Sequence, residues 1–257
     1  MPRYKVTIAY DGTAFYGWQK QQPPDKEPLR TVQKVMEEAV MELTKVDKVD
    51  VVGASRTDSG VHAIGQIGTF VCEREYDLRK LPMMLTARLP ADVHVLDAEI
   101  VHDDFCPISE CTSKGYRYTL TWGCKKEIRR PLFDRHVIAW TAYELELAPM
   151  QEAAKYIVGE HDFASFTRKN HGKESTVRKV FSCEVRESGL REIQMDISGN
   201  GFLYHMVRIV AGTLLEAGRG YWAPEKIIEI FEAKDRKAAG MTMPPEGLRL
   251  EWVSYEQ

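Results

Sequence analysis

The residue types best suited to chemistry stand side by side at Arg56, Thr57 and Asp58. An apolar run over residues 49–54 leads into them, and Ser59 with Gly60 turns the chain directly afterwards. A strand that ends by exposing polar groups on a loop is a usual way for a rigid scaffold to present reactive side chains. Here a carboxylate has a cation beside it and hydroxyls near enough to fix its orientation. An ionised carboxylate so placed can attack carbon or take up a proton. The same letters also spell an Asx-type turn closed by Asp58 and Ser59, so the stretch alone leaves both readings open. His62 and His205 have no second ligand at helical or hairpin spacing. They read as core or hydrogen-bonding residues rather than metal ligands.

The elements that must position this loop follow from periodicity. Tyr4, Val6, Ile8 and Tyr10 alternate with Lys5, Thr7 and Ala9, which predicts a strand with one apolar face, ended by Asp11 and Gly12. Thr31 reads as an N-cap, and Val32, Val35, Met36, Ala39, Val40 and Leu43 recur at helical spacing. Residues 49–54 and 64–72 predict strands, 78–89 a helix with Pro82 early in it, and 93–101 another strand. A second series begins near Gly115. It has strands over 116–122, 177–186, 192–198 and 248–254, and helices over 149–158, 202–216 and 224–233. Gly159 and Gly218 are the expected helix stops. The predicted class is α+β, with two split-βαβ, ferredoxin-like halves forming a broad mixed or antiparallel sheet and a central cleft where they meet. The expected organisation is an N-terminal half over 1–104 carrying the Asp58 loop, a linker over 105–114, and a C-terminal half over 115–257 completing the cleft.

Composition is that of an ordinary globular chain of 257 residues, 44% hydrophobic and 28% charged. The start lacks the apolar run of a secretory signal, and the most apolar stretch, residues 206–215, is too short to span a bilayer and is interrupted by Arg208. These features predict a cytoplasmic protein without membrane contact. Cysteines at 72, 106, 111, 124 and 183 form no CxxC pair and read as reduced thiols. A net charge of −3 argues against indiscriminate nucleic-acid binding, yet basic residues bunch at Lys114 and Arg117, at Lys125, Lys126, Arg129 and Arg130, and at Arg168, Lys169, Lys173, Arg178 and Lys179.

Residues 56–63, Arg-Thr-Asp-Ser-Gly-Val-His-Ala, resemble the signature loop of the tRNA pseudouridine synthase A (TruA-type) family. Further segments fit that family in the same order: residues 10–19 with Tyr10, Gly12, Gly17 and Trp18, then Tyr116 to Tyr118, then 159–166, then 202–208 ending in Arg208, then Gly212, Gly247 and Leu248. The resemblance spans nearly the whole chain. It implies a cofactor-free, metal-free isomerase acting on transfer RNA, usually as a homodimer, with Asp58 as the catalytic carboxylate. It further implies that Arg208 pairs with Asp58, that Tyr116 lies against the target base, and that Leu248 lines the base pocket. The family usually modifies uridines of the anticodon stem–loop, around positions 38–40, and a uracil inside a stem must be flipped out to be reached. Arg56 is then the residue to brace the vacated space. The basic residues Lys114, Lys125, Lys126, Arg129, Arg130, Arg168, Lys169 and Arg178 are the candidates for RNA contact. A second reading keeps the chemistry on other RNA uridines, and a third is a binding module without turnover. The chain departs from the family pattern in three places: Ser55 stands where Gly is common, residues 106–109 read Cys-Pro-Ile-Ser, and residues 19–28 are longer than in many bacterial members.

Overall fold

A computed structural model describes residues 1–22, 27–123, 130–168 and 175–256. The chain divides into two units, Met1–Thr112 with Arg249–Gln257, and Ser113–Leu248. Both are α+β.

In the first unit β1 (Arg3–Tyr10) is the central strand. It runs antiparallel to β3 (His62–Val71) on one side and to β4 (Val93–Val101) on the other. The short β2 (Val52–Gly53) pairs with β3 at Thr69 and Gly68. Helices α1 (Val32–Thr44) and α2 (Leu81–Thr86) connect the strands. The alternation read from the sequence is the alternation found: Tyr4, Val6 and Ile8 are fully buried, with Phe70, Met36, Val40, Leu81 and Leu85. Tyr4 stacks on Phe70 at 5.3 Å between ring centres. Each such side chain removed from water contributes about 1.5–3 kcal/mol.

The run over 49–54 pairs as a strand only at Val52 and Gly53. Beyond Ala54, whose N–H still reaches the Ile67 carbonyl at 2.8 Å, a side chain takes over the backbone's bonds, and the chain leaves the ladder. The last strand, β10 (Leu248–Ser254), was expected to close the C-terminal half. It lies instead parallel to β3, with Arg249 opposite His62 and Leu250 opposite Ala63. Residues 105–112, expected as linker, also belong to the first unit, where Phe105 packs at 5.0 Å against Tyr255.

The second unit is built on β5 (Ser113–Trp122), β8 (Val177–Gly189) and β9 (Glu192–Gly199). β9 is antiparallel to both neighbours, and β7 (Gly159–Asp162) is antiparallel to β8. Short β6 (Ala139–Thr141) runs parallel to β5. Sequence reading did not predict β6 or β7. Helix α3 (Leu147–Ile157) packs on β8 and on α4 (Met206–Gly218), and α5 (Lys226–Ala233) follows. Every residue of α4 but Arg208 is buried, as its apolar sequence requires. The predicted start at 202 moves to Met206, because His205 takes a left-handed backbone (φ 61°) that no helix interior accommodates.

One helix position needs glycine for space. A Cβ on Gly212 would stand 2.0 Å from the Met241 carbonyl oxygen. Thr213 beside it accepts from Gly240 N–H at 3.0 Å, and the segment so held bonds Arg208 twice, through Arg208 Nε to Met243 O (2.7 Å) and Met243 N–H to Arg208 O (3.2 Å). Gly212→Ala therefore overpacks this crossing, and about 1–3 kcal/mol of stability is lost. The thermal midpoint is expected to fall by roughly 2–4 °C per kcal/mol. A calorimetric scan with an unchanged midpoint would contradict the close approach.

Candidate active site

Residues 54–61 join β2 to β3 and carry Arg56, Thr57 and Asp58. Two structures grip this loop. The first is Gln66, fully buried on β3. Its Oε1 accepts from Ser55 N–H (3.2 Å) and Ile67 N–H (3.1 Å), and its Nε2 donates to the Ser55 carbonyl (2.6 Å). A buried amide with such bonds substitutes for strand pairing where the backbones diverge. The second is the segment 15–18. Trp18 N–H donates to the Thr57 carbonyl (3.1 Å), while Gly60 N–H and Ser59 Oγ both donate to the Phe15 carbonyl (3.2 Å each). Tyr10 OH meets Thr57 Oγ1 at 2.7 Å in the interior.

Gly17 permits the second grip. Its φ is +90°, and a Cβ there would lie 2.6 Å from the Thr57 carbonyl oxygen. Trp18 is buried beneath, 6.3 Å from Tyr10 between ring centres. Segment 15–18, with Tyr10, is the clamp on the loop. Thr57 is thereby buried, Asp58 half-buried and Arg56 exposed. Asp58's own carbonyl accepts from Val61 N–H (3.2 Å), closing the turn that Ser59 and Gly60 predict. His62 Nδ1 accepts from Gly12 N–H at 3.0 Å and lies 3.2 Å from Asp11 Oδ1, so the hydrogen-bonding role expected of it is the one found.

The other candidate site residues lie in the second unit. Tyr116, on β5, is buried with its ring edge-on to Phe202 at 5.2 Å. Tyr118, two residues on, is a packing residue as expected, with its hydroxyl donating to the Pro244 carbonyl at 2.8 Å. Burial pushes that phenol well above its ordinary range, so it remains a neutral donor. Arg208 is half-buried at the start of α4, its Nε on Met243 O. Leu248 is buried where β10 begins.

Of the basic candidates, Lys114 is half-buried on β5, Arg130 lies over the Trp140 ring at 4.6 Å, and Arg168 lies over the Tyr204 ring at 4.3 Å. Arg178 Nη1 donates to the carbonyls of Ser175 (3.0 Å) and Val177 (2.6 Å), and burial lowers its pKa. Lys125, Lys126, Arg129 and Lys169 lie outside the described residues, as does Cys124. Among the described residues no three His, Cys, Asp or Glu gather as a metal site, and no helix is long and apolar enough to cross a membrane.

The family described as tRNA pseudouridine synthase matches this sequence over residues 6–106 and 153–256, which takes in the clamp, the Asp58 loop and all of α4. The chain belongs to that family. It is an isomerase of the pseudouridine synthase type. Among similar proteins, tRNA pseudouridine synthase A 2 of Clostridium perfringens (strain 13 / Type A) is 38% identical over 256 residues, covering 99% of this chain and 100% of its own. The tRNA pseudouridine synthase A of Caldicellulosiruptor saccharolyticus is 42% identical over 251 residues, covering 97% and 98%. That of Bacillus subtilis (strain 168) is 42% identical over 255 residues, covering 99% of each chain.

Within the family fold, Gln66 is the residue that sequence reasoning passed over, and Gly17 was named only as part of its segment. A signal existed for Gln66: it is a lone amide inside the apolar strand sequence of β3, and a buried polar side chain there has to find partners. Gln66→Leu keeps the volume and removes all three bonds. It is expected to destabilise the protein by a few kcal/mol, at about 1–3 kcal/mol per stranded group. Amide exchange at Ser55 and Ile67 should accelerate with it. Unaltered protection at both amides would show that something other than Gln66 closes the loop.

Proposed function

We propose that this pseudouridine synthase acts on transfer RNA, converting uridine to pseudouridine in the anticodon stem–loop, with Asp58 as the essential carboxylate. The observation that carries the assignment to Asp58 is the double grip on its loop. A half-buried carboxylate is held on a turn whose backbone is fixed by a buried amide on one side and a glycine-thinned segment on the other. Such rigidity is what a reaction at a single carbon demands, since small misplacements of a reacting group are costly.

The reaction breaks the bond between N1 of uracil and C1′ of ribose, and forms one between C5 and C1′. The proton leaves C5 and N1 gains one, so no atom is added overall. Asp58 serves either by attacking C1′ or by removing a ribose proton, and both uses need the ionised carboxylate. Arg208 is proposed to pair with Asp58 and keep it ionised. Tyr116 holds the base by its face, worth about 1–3 kcal/mol in stacking. Leu248 lines the base pocket, and Arg56, exposed at the tip of the loop, fills the gap left by the flipped nucleotide. Lys114, Arg130, Arg168 and Arg178, with the basic residues outside the described part, supply RNA contacts. A homodimer lets one RNA touch two such surfaces, which reconciles RNA binding with a net charge of −3. No cofactor or metal enters the proposed chemistry.

Tritium release from carbon-5-labelled uridine in unmodified transfer RNA is expected with the wild type in the presence of chelator, and is expected to vanish in Asp58→Ala while RNA binding persists. Turnover by Asp58→Ala would end the assignment. Gly17→Ala, which forces the clamp off Thr57, is expected to lower kcat on the order of 100-fold. Full activity in a correctly folded Gly17→Ala protein would mean that the clamp does not set the position of the carboxylate.

A further inference from the structure

Segment 202–208 was singled out by its sequence, yet Arg208 is its only residue given a task so far. The two residues before α4, Tyr204 and His205, form a surface of their own. Tyr204 is 40% exposed, and its ring lies 3.7 Å from that of His205, the planes 27° apart. Consecutive side chains in extended backbone point apart; the left-handed turn at His205 folds these two rings together. The guanidinium of Arg168 covers Tyr204 at 4.3 Å. The Tyr204 ring thus meets a second ring and an exposed guanidinium.

The stack is built in. Thr167, fully buried, donates its hydroxyl to the Tyr204 carbonyl at 3.1 Å, tying the residue before Arg168 to the residue under it. The turn leading to Thr167 rests on Phe163 and Phe166, which pack against Phe231. It is capped by Asp162, which accepts from Ala164 N–H and Thr176 Oγ1. Arg178 runs beside Gly201, its Nε 3.8 Å from where a Cβ would be. Among the described residues no carboxylate pairs with Arg168 or Arg178, and Arg178 spends its Nη1 on backbone carbonyls. One guanidinium therefore lies on the exposed ring and a second beside Gly201, with no described counter-ion.

Phe202, two residues from Tyr204, packs edge-on against Tyr116. We propose that Arg168 and Tyr204 form a stacking site for an unpaired nucleotide of the RNA neighbouring the target uridine, with Arg178 facing its phosphate. This rests on the reading that Tyr116 holds the target base. A guanidinium laid flat on a ring offers a base a planar, cationic surface, and lysine cannot replace it.

The test is filter binding of an unmodified transfer-RNA transcript across a salt series. Arg168→Ala and Tyr204→Leu are each expected to raise Kd about tenfold. Arg168→Lys should keep the wild-type salt slope but not the affinity, and Tyr204→Phe, which keeps the ring, should bind as the wild type does. Full recovery of affinity by Arg168→Lys would reduce the site to a phosphate contact and overturn the stacking. Wild-type Kd in Arg168→Ala would overturn it as well, without reliance on the Leu variant's folding. Tritium release by the wild type is measured alongside. Turnover with unchanged Kd in the variants defeats the stacking site alone, whereas no release from any transfer RNA defeats the functional reading whatever the Kd values show.

Discussion

The hydrogen bonds that close the Asp58 loop require backbone to meet backbone between residues 15–18 and residues 57–60, and that approach is open only to a glycine at 17. Much else in the first unit serves it. β1 delivers Tyr10 to Thr57, the turn after β1 delivers Phe15 and Trp18, and β3 delivers Gln66 to the other side. A loop bonded on both sides in this way differs from an ordinary surface turn. The turn at residues 58–61 is a backbone turn, closed by Val61 N–H on the Asp58 carbonyl, and its enclosure is compatible with the proposed use of the carboxylate.

The second unit solves a related problem by different means. α4 is buried at every residue but Arg208, which is half-buried, so its guanidinium needs partners where it leaves the helix. Its position is set through the chain at 240–243, which can cross α4 closely because Gly212 presents no side chain. In both units a glycine admits a backbone, and the backbone then orients a charged side chain. Tyr118 belongs to the same arrangement: its neutral hydroxyl ties β5 to Pro244, the residue after Met243.

Strand alternation in β1 and the apolar faces of α1 and α4 were legible because burial repeats with a fixed period along the chain. The Asp58 loop was legible because its letters are unusual together. What escaped is what has no period. β2 shrinks to two residues because a side chain, not a strand, completes the pairing. The start of α4 moves because of one left-handed residue, His205, which nothing in its neighbouring letters singles out. β10 changes units because a parallel partner nearly the whole chain away leaves no local mark. The short β6 and β7 fall below the length at which alternation is detectable.

That parallel partner also has a bearing on timing. Arg249 and Leu250 pair with His62 and Ala63, directly after the Asp58 loop. On a ribosome the two halves of this pairing are made roughly 190 residues apart, which at about 5–20 residues per second is on the order of ten seconds or more. Throughout that interval the edge of β3 beside the loop has no β10 against it. The nascent protein thus holds the Asp58 loop next to an open strand edge until almost all of the second unit has emerged, and the surroundings of that loop are among the last parts of the molecule to be completed.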